Sequence, residues 1–279
     1  MPERGDTPPS ATSGWVDRHV LRRQGDATEA VLDRLAEEMP VAMRYNGRPF
    51  AVMMASPCDL DDFALGFSLS EGLITAPGQL LGVRTHWQLE GIELAMTVAD
   101  GAPAATLDEG DSRWLPGRGG CGLCGTRQLE DVLRPAAPIT HTPSFTVEAL
   151  RRALAALDAH QPMNAATGST HAAAWTDAGG DILRVREDVG RHNALDKLIG
   201  AMTRAGDDPA TGMLVISSRA SYEMVTKAAR AGIGFIAAVS APTALAIELA
   251  RGANVCLIGF ARGDGCNLYT FPERLVASP

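Results

Sequence analysis

The sequence predicts an α/β (α+β) protein, with a helix-covered sheet in its second half and a smaller β-rich part before it. Three observations carry this. From Ala172 onward, apolar runs of strand length alternate with helical stretches of roughly ten residues, the pattern of a covered sheet with some parallel pairing. Earlier, Asn46-Gly47 separates two apolar runs, and both residues accept positive φ, which is the strongest short hairpin signal. Between the halves lies Gly119-Gly120-Cys121-Gly122-Leu123-Cys124-Gly125. Its glycines let the chain curl tightly around thiols, and a packed core would not choose this composition.

The elements follow in order. Residues 1–14 are polar and rich in Pro, Ser, Thr and Gly, which predicts a disordered tail. Residues 15–25 alternate loosely and predict a first strand. Residues 39–45 and 49–55 flank the Asn46-Gly47 turn. Residues 59–71 predict a helix, with Leu60, Phe63, Ala64, Phe67 and Leu69 mostly on one face and acids in the first turn. Residues 80–88 and 92–98 predict two more strands. The β-rich part therefore spans 15–135 and includes the thiol loop at 117–126. Residues 135–143 read as a linker, and 144–279 as an α/β cofactor-binding core. Within it, 146–159 predicts a helix with Thr146 as N-cap and Leu150, Leu154 and Leu157 at helical spacing. Strands are expected at 172–176, 182–186, 213–217, 233–240 and 255–260. Helices are expected at 190–205, 221–231 and 243–251.

Composition narrows the function. The 279 residues carry a net charge of −8, which argues against general nucleic-acid binding. No apolar run reaches the ~18 residues of a membrane span. The N-terminus lacks the apolar stretch of a secretory signal, so a cytoplasmic location is expected, with the five cysteines as free thiols.

Cys121 and Cys124 admit three readings. They are half of a structural zinc site with His141, His171 or Cys266 as loose further ligands, a thioredoxin-type dithiol, or a mobile persulfide carrier. A glycine-rich loop supplies the reach that a carrier needs. Residues 186–197 place seven ionisable groups at a strand-to-helix junction. They read as a solvated, salt-bridged helix start or as the lining of an anion site, with Asp188 as a cap and Arg191, Asn193 and Lys197 in the first turns. His171 precedes a strand, and a lone histidine is more often packed than catalytic. Ser218, Arg219 and Tyr222 fall at a strand end that opens a helix. They suit a phosphate held by hydroxyl, amide and guanidinium with an aromatic face beside it, although plain capping by Ser218 or Ser221 competes. Residues 260–267 form a Gly-rich turn in which an aromatic, a cation and free amides suit a base and its phosphates, although Asp264 is also ordinary turn chemistry.

Taken jointly and in order, four segments resemble the FdhD family: Cys-Gly-Leu-Cys-Gly, Glu-Asp-Val-Gly-Arg-His-Asn-Ala-Leu-Asp-Lys, Ser-Ser-Arg-Ala-Ser-Tyr-Glu-Met and Ser-Ala-Pro-Thr. The resemblance runs from about Val16 to the C-terminus. It implies a sulfur carrier (a sulfurtransferase) required for formate dehydrogenase. Such a protein takes persulfide sulfur from a cysteine desulfurase and passes it to the molybdenum cofactor, Mo-bis(molybdopterin guanine dinucleotide). The cofactor is then inserted into the formate dehydrogenase catalytic subunit. By this match Cys121 carries the persulfide and Cys124 is its partner. Phe260, Ala261, Arg262, Gly263, Asp264 and Gly265 match the cofactor-binding segment, joined by Ser218, Arg219, Tyr222 and His171. Guanine nucleotide is expected to mimic the cofactor. The family's core is similar to the cytidine deaminase fold, but His171-Ala172-Ala173 lacks the His-x-Glu of zinc deaminases, so no resident metal is expected. Symmetry makes a homodimer the expected assembly. The alternatives are a cofactor-binding chaperone without sulfur transfer and a zinc-stabilised binding protein.

Overall fold

The computed structural model describes residues 13–107, 136–141 and 143–277. Cys121 and Cys124, the loop at 117–126 and residues 1–12 of the expected 1–14 tail therefore lie outside the described residues, whereas Gly14 is buried and its carbonyl accepts from the Glu37 amide at 2.8 Å.

β1 (Trp15–Gln24) and β2 (Ala27–Ala36) form an antiparallel hairpin in unbroken register from Trp15↔Ala36 to Gln24↔Ala27. β2 is absent from the sequence reading. Its Glu, Ala, Leu and Arg favour a helix, and cross-strand pairing overrides that weak preference.

Next comes a sheet in the order β4-β3-β6-β5, built from β3 (Met39–Tyr45), β4 (Arg48–Ala55), β5 (Leu80–Trp87) and β6 (Ile92–Val98). Asn46 and Gly47 take φ of 48° and 81°, so the expected tight turn joins β3 to β4. α1 (Leu60–Ser70) lies against this sheet. Phe67 meets Phe50 and Phe63 edge-to-face at 6.1 and 6.0 Å, and Phe50 meets Tyr45 at 5.7 Å.

The second half builds a mixed sheet in the order β13-β12-β11-β10-β8-β9. Its strands are β8 (His171–Thr176), β9 (Ile182–Asp188), β10 (Leu214–Ile216), β11 (Phe235–Ala238), β12 (Cys256–Arg262) and β13 (Gly265–Thr270). A short parallel pair, β7 (Phe145–Thr146) with β14 (Leu275–Val276), lies beside it. The described helices are α1, α2 (Val147–Leu157), α3 (Pro162–Thr167), α4 (Arg191–Ala205), α5 (Tyr222–Arg230) and α6 (Ala244–Gly252). Thr146 caps α2 as expected, its hydroxyl accepting from the Ala149 amide at 3.1 Å.

Strand alternation separates two cores. Leu214, Ile216, Ile236, Ala238 and Leu257 join the cluster under α4, α5 and α6. Val215, Phe235, Ala237, Cys256 and Ile258 join Phe145 and Leu150 on the other face. Cys256 is fully buried, as its apolar run implies.

The two halves meet where α1 crosses α4. A Cβ on Gly66 would overlap the Asp196 carbonyl oxygen, and one on Gly200 would overlap that of Asp62, so backbone touches backbone. The expected linker is pinned as well: the Ile139 amide donates to the Ala253 carbonyl at 3.0 Å, and its own carbonyl accepts from Asn254 Nδ2 at 2.7 Å. No helix among the described residues is long and apolar enough to cross a membrane.

Candidate functional site

β10, β11 and β12 run parallel, so their carboxyl ends share one edge of the sheet. β8 is antiparallel to β10 and starts at that edge, while β9 ends there, with His171 opposite Asp188. Ligands of open α/β sheets bind outside such an edge.

The first cluster lies at the end of β10. Ser217 ties that strand to β8: its Oγ accepts from the Ala172 amide at 2.8 Å, and its amide donates to the Ala172 carbonyl at 3.0 Å. Ser218 is nearly buried, and its hydroxyl donates to the Arg219 carbonyl at 3.1 Å. Arg219 is exposed and has no acidic partner among the described residues. Tyr222 is half-buried in the first turn of α5. Neither Ser218 nor Ser221 caps that helix: Ser221 holds the cap position but donates to Glu223 Oε2 at 2.7 Å.

The second cluster lies at the end of β12. The sequence reading ended the last core strand at Phe260 and made 260–267 a turn, but Ala261 and Arg262 also belong to β12, and Gly265–Thr270 form β13, the sheet's edge strand. The turn is Gly263-Asp264, with Gly263 at φ 56° and Arg262 paired to Gly265. Phe260 takes φ 51°, a strained value for an aromatic residue, and its amide donates to the Ser240 carbonyl at 3.1 Å. Its ring is 38% exposed, with the Arg262 guanidinium 6.0 Å from the ring centre. Ala261 is fully buried in the α2-side core, so only its backbone faces the site. Asp264 Oδ1 lies 3.5 Å from Arg151 Nε in an exposed pair worth little.

His171 stands half-buried at the head of β8. Burial first, then the charges of Arg191 and His192, hold its imidazole below the ordinary histidine range. The 186–197 segment departs from both sequence readings. Lys197 and Asp188 are fully buried, 2.7 Å apart, with Lys197 Nζ also donating to the Ser56 carbonyl at 3.0 Å. Arg186 donates to Asp62 Oδ2 at 2.7 Å. Asn193 Nδ2 donates to the Met54 carbonyl at 2.8 Å and to Asp188 Oδ1 at 2.9 Å. The N-cap of α4 is Gly190, not Asp188. Most of this segment therefore joins the two halves of the molecule, and Arg191 and His192 are the members left at the sheet edge.

Sequence reasoning missed the pairing of His192 with Glu223. His192 Nε2 lies 3.3 Å from Glu223 Oε2 and 3.4 Å from Ser221 Oγ. The only signal was that Ser221, Glu223 and His192 fall inside charged motifs, and that spacing does not reveal burial.

The FdhD/NarQ family profile matches residues 36–276. "Sulfur carrier protein FdhD" of Xanthomonas campestris pv. campestris (strain B100) is 54% identical over 262 residues, covering 94% of this chain and 92% of the relative. The protein of the same description from Bordetella petrii is 46% identical over 274 residues, 98% of each chain. Among solved structures, one from Desulfotalea psychrophila, described as a formate dehydrogenase accessory protein, superposes with a TM-score of 0.72 at 20% identity, covering 94% of this chain and 99% of that one. With a profile spanning nearly all of its described residues and relatives above half identity, this chain belongs to the FdhD/NarQ family.

Proposed function

We propose that the chain is a sulfur carrier that receives persulfide sulfur on Cys121 from a cysteine desulfurase. It passes that sulfur to Mo-bis(molybdopterin guanine dinucleotide) before the cofactor enters formate dehydrogenase. The observation that carries this reading is its 54% identity, over 94% of the chain, to a protein described as a sulfur carrier. The Cys121 thiolate attacks the outer sulfur of the donor persulfide, the donor S–S bond breaks and the donor cysteine leaves as its thiolate. The terminal sulfur then leaves Cys121 as a sulfane atom, which regenerates the thiolate, and the acceptor cofactor takes it up.

The sheet edge supports the acceptor side. Phe260 offers a ring face, while Arg219 and Arg262 are exposed guanidiniums suited to phosphate oxygens. A guanine nucleotide would stack on Phe260 and be steadied by Arg262.

Intact mass and peptide mapping after incubation with a cysteine desulfurase and cysteine test the reading. The expected result is one added sulfur on the peptide bearing Cys121, lost on thiol reduction and absent in Cys121→Ala. No added sulfur on the wild-type chain, with formate dehydrogenase still activated by Cys121→Ala, would leave a cofactor-binding chaperone instead.

A further inference from the structure

α4 opens onto the sheet edge with an arrangement that sulfur transfer does not use. This 15-residue helix has Gly190 as its N-cap and no side-chain cap bond, so its positive end is uncapped. Two observations beyond the helix end point to a ligand. First, His192 is 2% exposed, and its Nδ1 has no hydrogen-bond partner among the described residues; Arg191 Nε is also buried and unpartnered there. A buried polar atom left unpaired is costly, and with Asn193 Oδ1 three consecutive residues carry one, so together they call for an occupant. Second, Arg191 and His192 both act electrostatically on His171 at the head of β8. Three side chains able to carry positive charge thus gather at one helix start.

The acids nearby are already engaged. Asp188 accepts from Lys197 at 2.7 Å, the Gly190 amide at 2.7 Å and Asn193 Nδ2 at 2.9 Å. Glu223 Oε2 is shared by Ser221 Oγ and His192 Nε2. Nε2 faces Glu223 Oε2 and Ser221 Oγ, which leaves Nδ1 as the ring nitrogen available to a ligand. Arg191 Nε is thus an unpaired donor at the helix start, with His192 Nδ1 and the acceptor Asn193 Oδ1 unpaired beside it.

We propose that Arg191, His192 and His171, with the uncapped first turn of α4, bind a phosphate group. The chemistry is that of any phosphate oxyanion, free or carried by a nucleotide. Naming the nucleotide as the guanosine diphosphate portion of the cofactor rests on the sulfur-carrier reading. β8 and β12 are three strands apart, about 14 Å at the usual strand spacing, so a large dinucleotide would reach from this site toward Phe260.

Two measurements on the full chain test it: imidazole NMR during titration with inorganic pyrophosphate, and calorimetry with guanosine diphosphate and with guanosine. Arg191→Gln, Arg191→Lys and His171→Gln are compared with the parent, and melting temperature reports their folding. Pyrophosphate is expected to move the ring signals of His171 and His192 and to raise the pKa of His171. Each Gln variant should weaken guanosine diphosphate binding about tenfold or more while leaving guanosine binding unchanged, and Arg191→Lys should recover part of the loss. Ring signals that ignore pyrophosphate, or folded Gln variants that bind guanosine diphosphate as the parent does, overturn the site. Pyrophosphate binding through these residues without any response to guanosine diphosphate upholds the site and overturns the guanine-nucleotide reading instead.

Discussion

Lys197 Nζ sits 2.7 Å from Asp188 Oδ2 with both side chains fully buried, and this ion pair fastens α4 to the segment that leads into α1. The Ser56 amide donates to the same Asp188 oxygen at 3.0 Å, and Lys197 donates to the Ser56 carbonyl at 3.0 Å. One ion pair thus satisfies both backbone groups of Ser56. Removing either member alone strands a buried charge. Lys197→Met should therefore cost about 3–5 kcal/mol in denaturant unfolding, and adding Asp188→Asn to it should recover part of the loss. Equal stability of Lys197→Met and the parent would show that the pair is dispensable.

The same lysine gives a pH dependence. Burial alone would lower its pKa, but Asp188 above all, then Cys58, hold it above the ordinary lysine value. Lys227, enclosed by Asp196 and Glu71 at 2.9 and 2.8 Å, is raised in the same way. A group whose folded pKa is raised stabilises the fold fully below its unfolded value, and that contribution fades as pH rises through the folded value. Stability contributed by these pairs should hold up to about pH 10 and fall above it, and Lys197→Met should flatten part of that fall. Unfolding free energies measured from pH 8 to 11 in both chains check this.

Gly66 and Gly200 define the crossing of α1 and α4. A methyl group at either would collide with backbone that cannot move without separating the helices. Gly66→Ala and Gly200→Ala should each destabilise by about 3 kcal/mol or more. Gly252→Ala, at the end of α6 with open space around its added carbon, should be neutral or slightly stabilising. Thermal melting of the three variants separates steric exclusion from the ordinary helix propensity of glycine.

The contrast between these residues explains what was legible in the sequence. Local signals were: Asn46-Gly47 needs positive φ at both positions, and the Thr146 hydroxyl reaches an amide three residues on, so the turn and the cap follow from short-range chemistry. The strand–helix alternation also placed Ser218, Arg219 and Phe260 on one edge, because parallel strands end together, whereas His171 reaches that edge only because β8 runs the opposite way. Long-range facts were hidden. Nothing local shows that Lys197 is buried against Asp188 or that Arg186 reaches Asp62, and both look like surface charges in the sequence. Ala261 was counted with its neighbours as a contact residue, yet the alternation of β12 turns it inward. β2 and β13 are strands of polar, partly helix-favouring composition, and only their pairing partners make them strands.

The thiols differ in their expected chemistry. Burial pushes the Cys256 thiol up to about 12, and burial also raises Cys58 and Cys266. A raised value keeps the thiol protonated, and the thiolate is the reactive form. Brief alkylation of the folded chain at pH 8 should therefore spare Cys256 and label the peptide bearing Cys121 and Cys124 first. Peptide mapping reads the order, and early labelling of Cys256 would contradict its burial.

Phe260 sets stability against binding. Its φ of 51° costs an ordinary side chain roughly 1–2 kcal/mol, and it is held there by the bond from its amide to the Ser240 carbonyl. Its ring, 38% exposed with Arg262 beside it, returns little packing for that strain. Strain kept at an exposed aromatic residue fits a ring presented to a ligand. Asparagine tolerates this backbone region far better than phenylalanine. Phe260→Asn should thus leave the melting temperature unchanged or raise it, while weakening guanosine diphosphate binding about tenfold through loss of the stacking face. Opposite signs on the two measurements identify a binding residue. A parallel loss of stability and affinity would instead mean that the ring packs the β12 edge, and the nucleotide would then have to be held by the cationic groups alone.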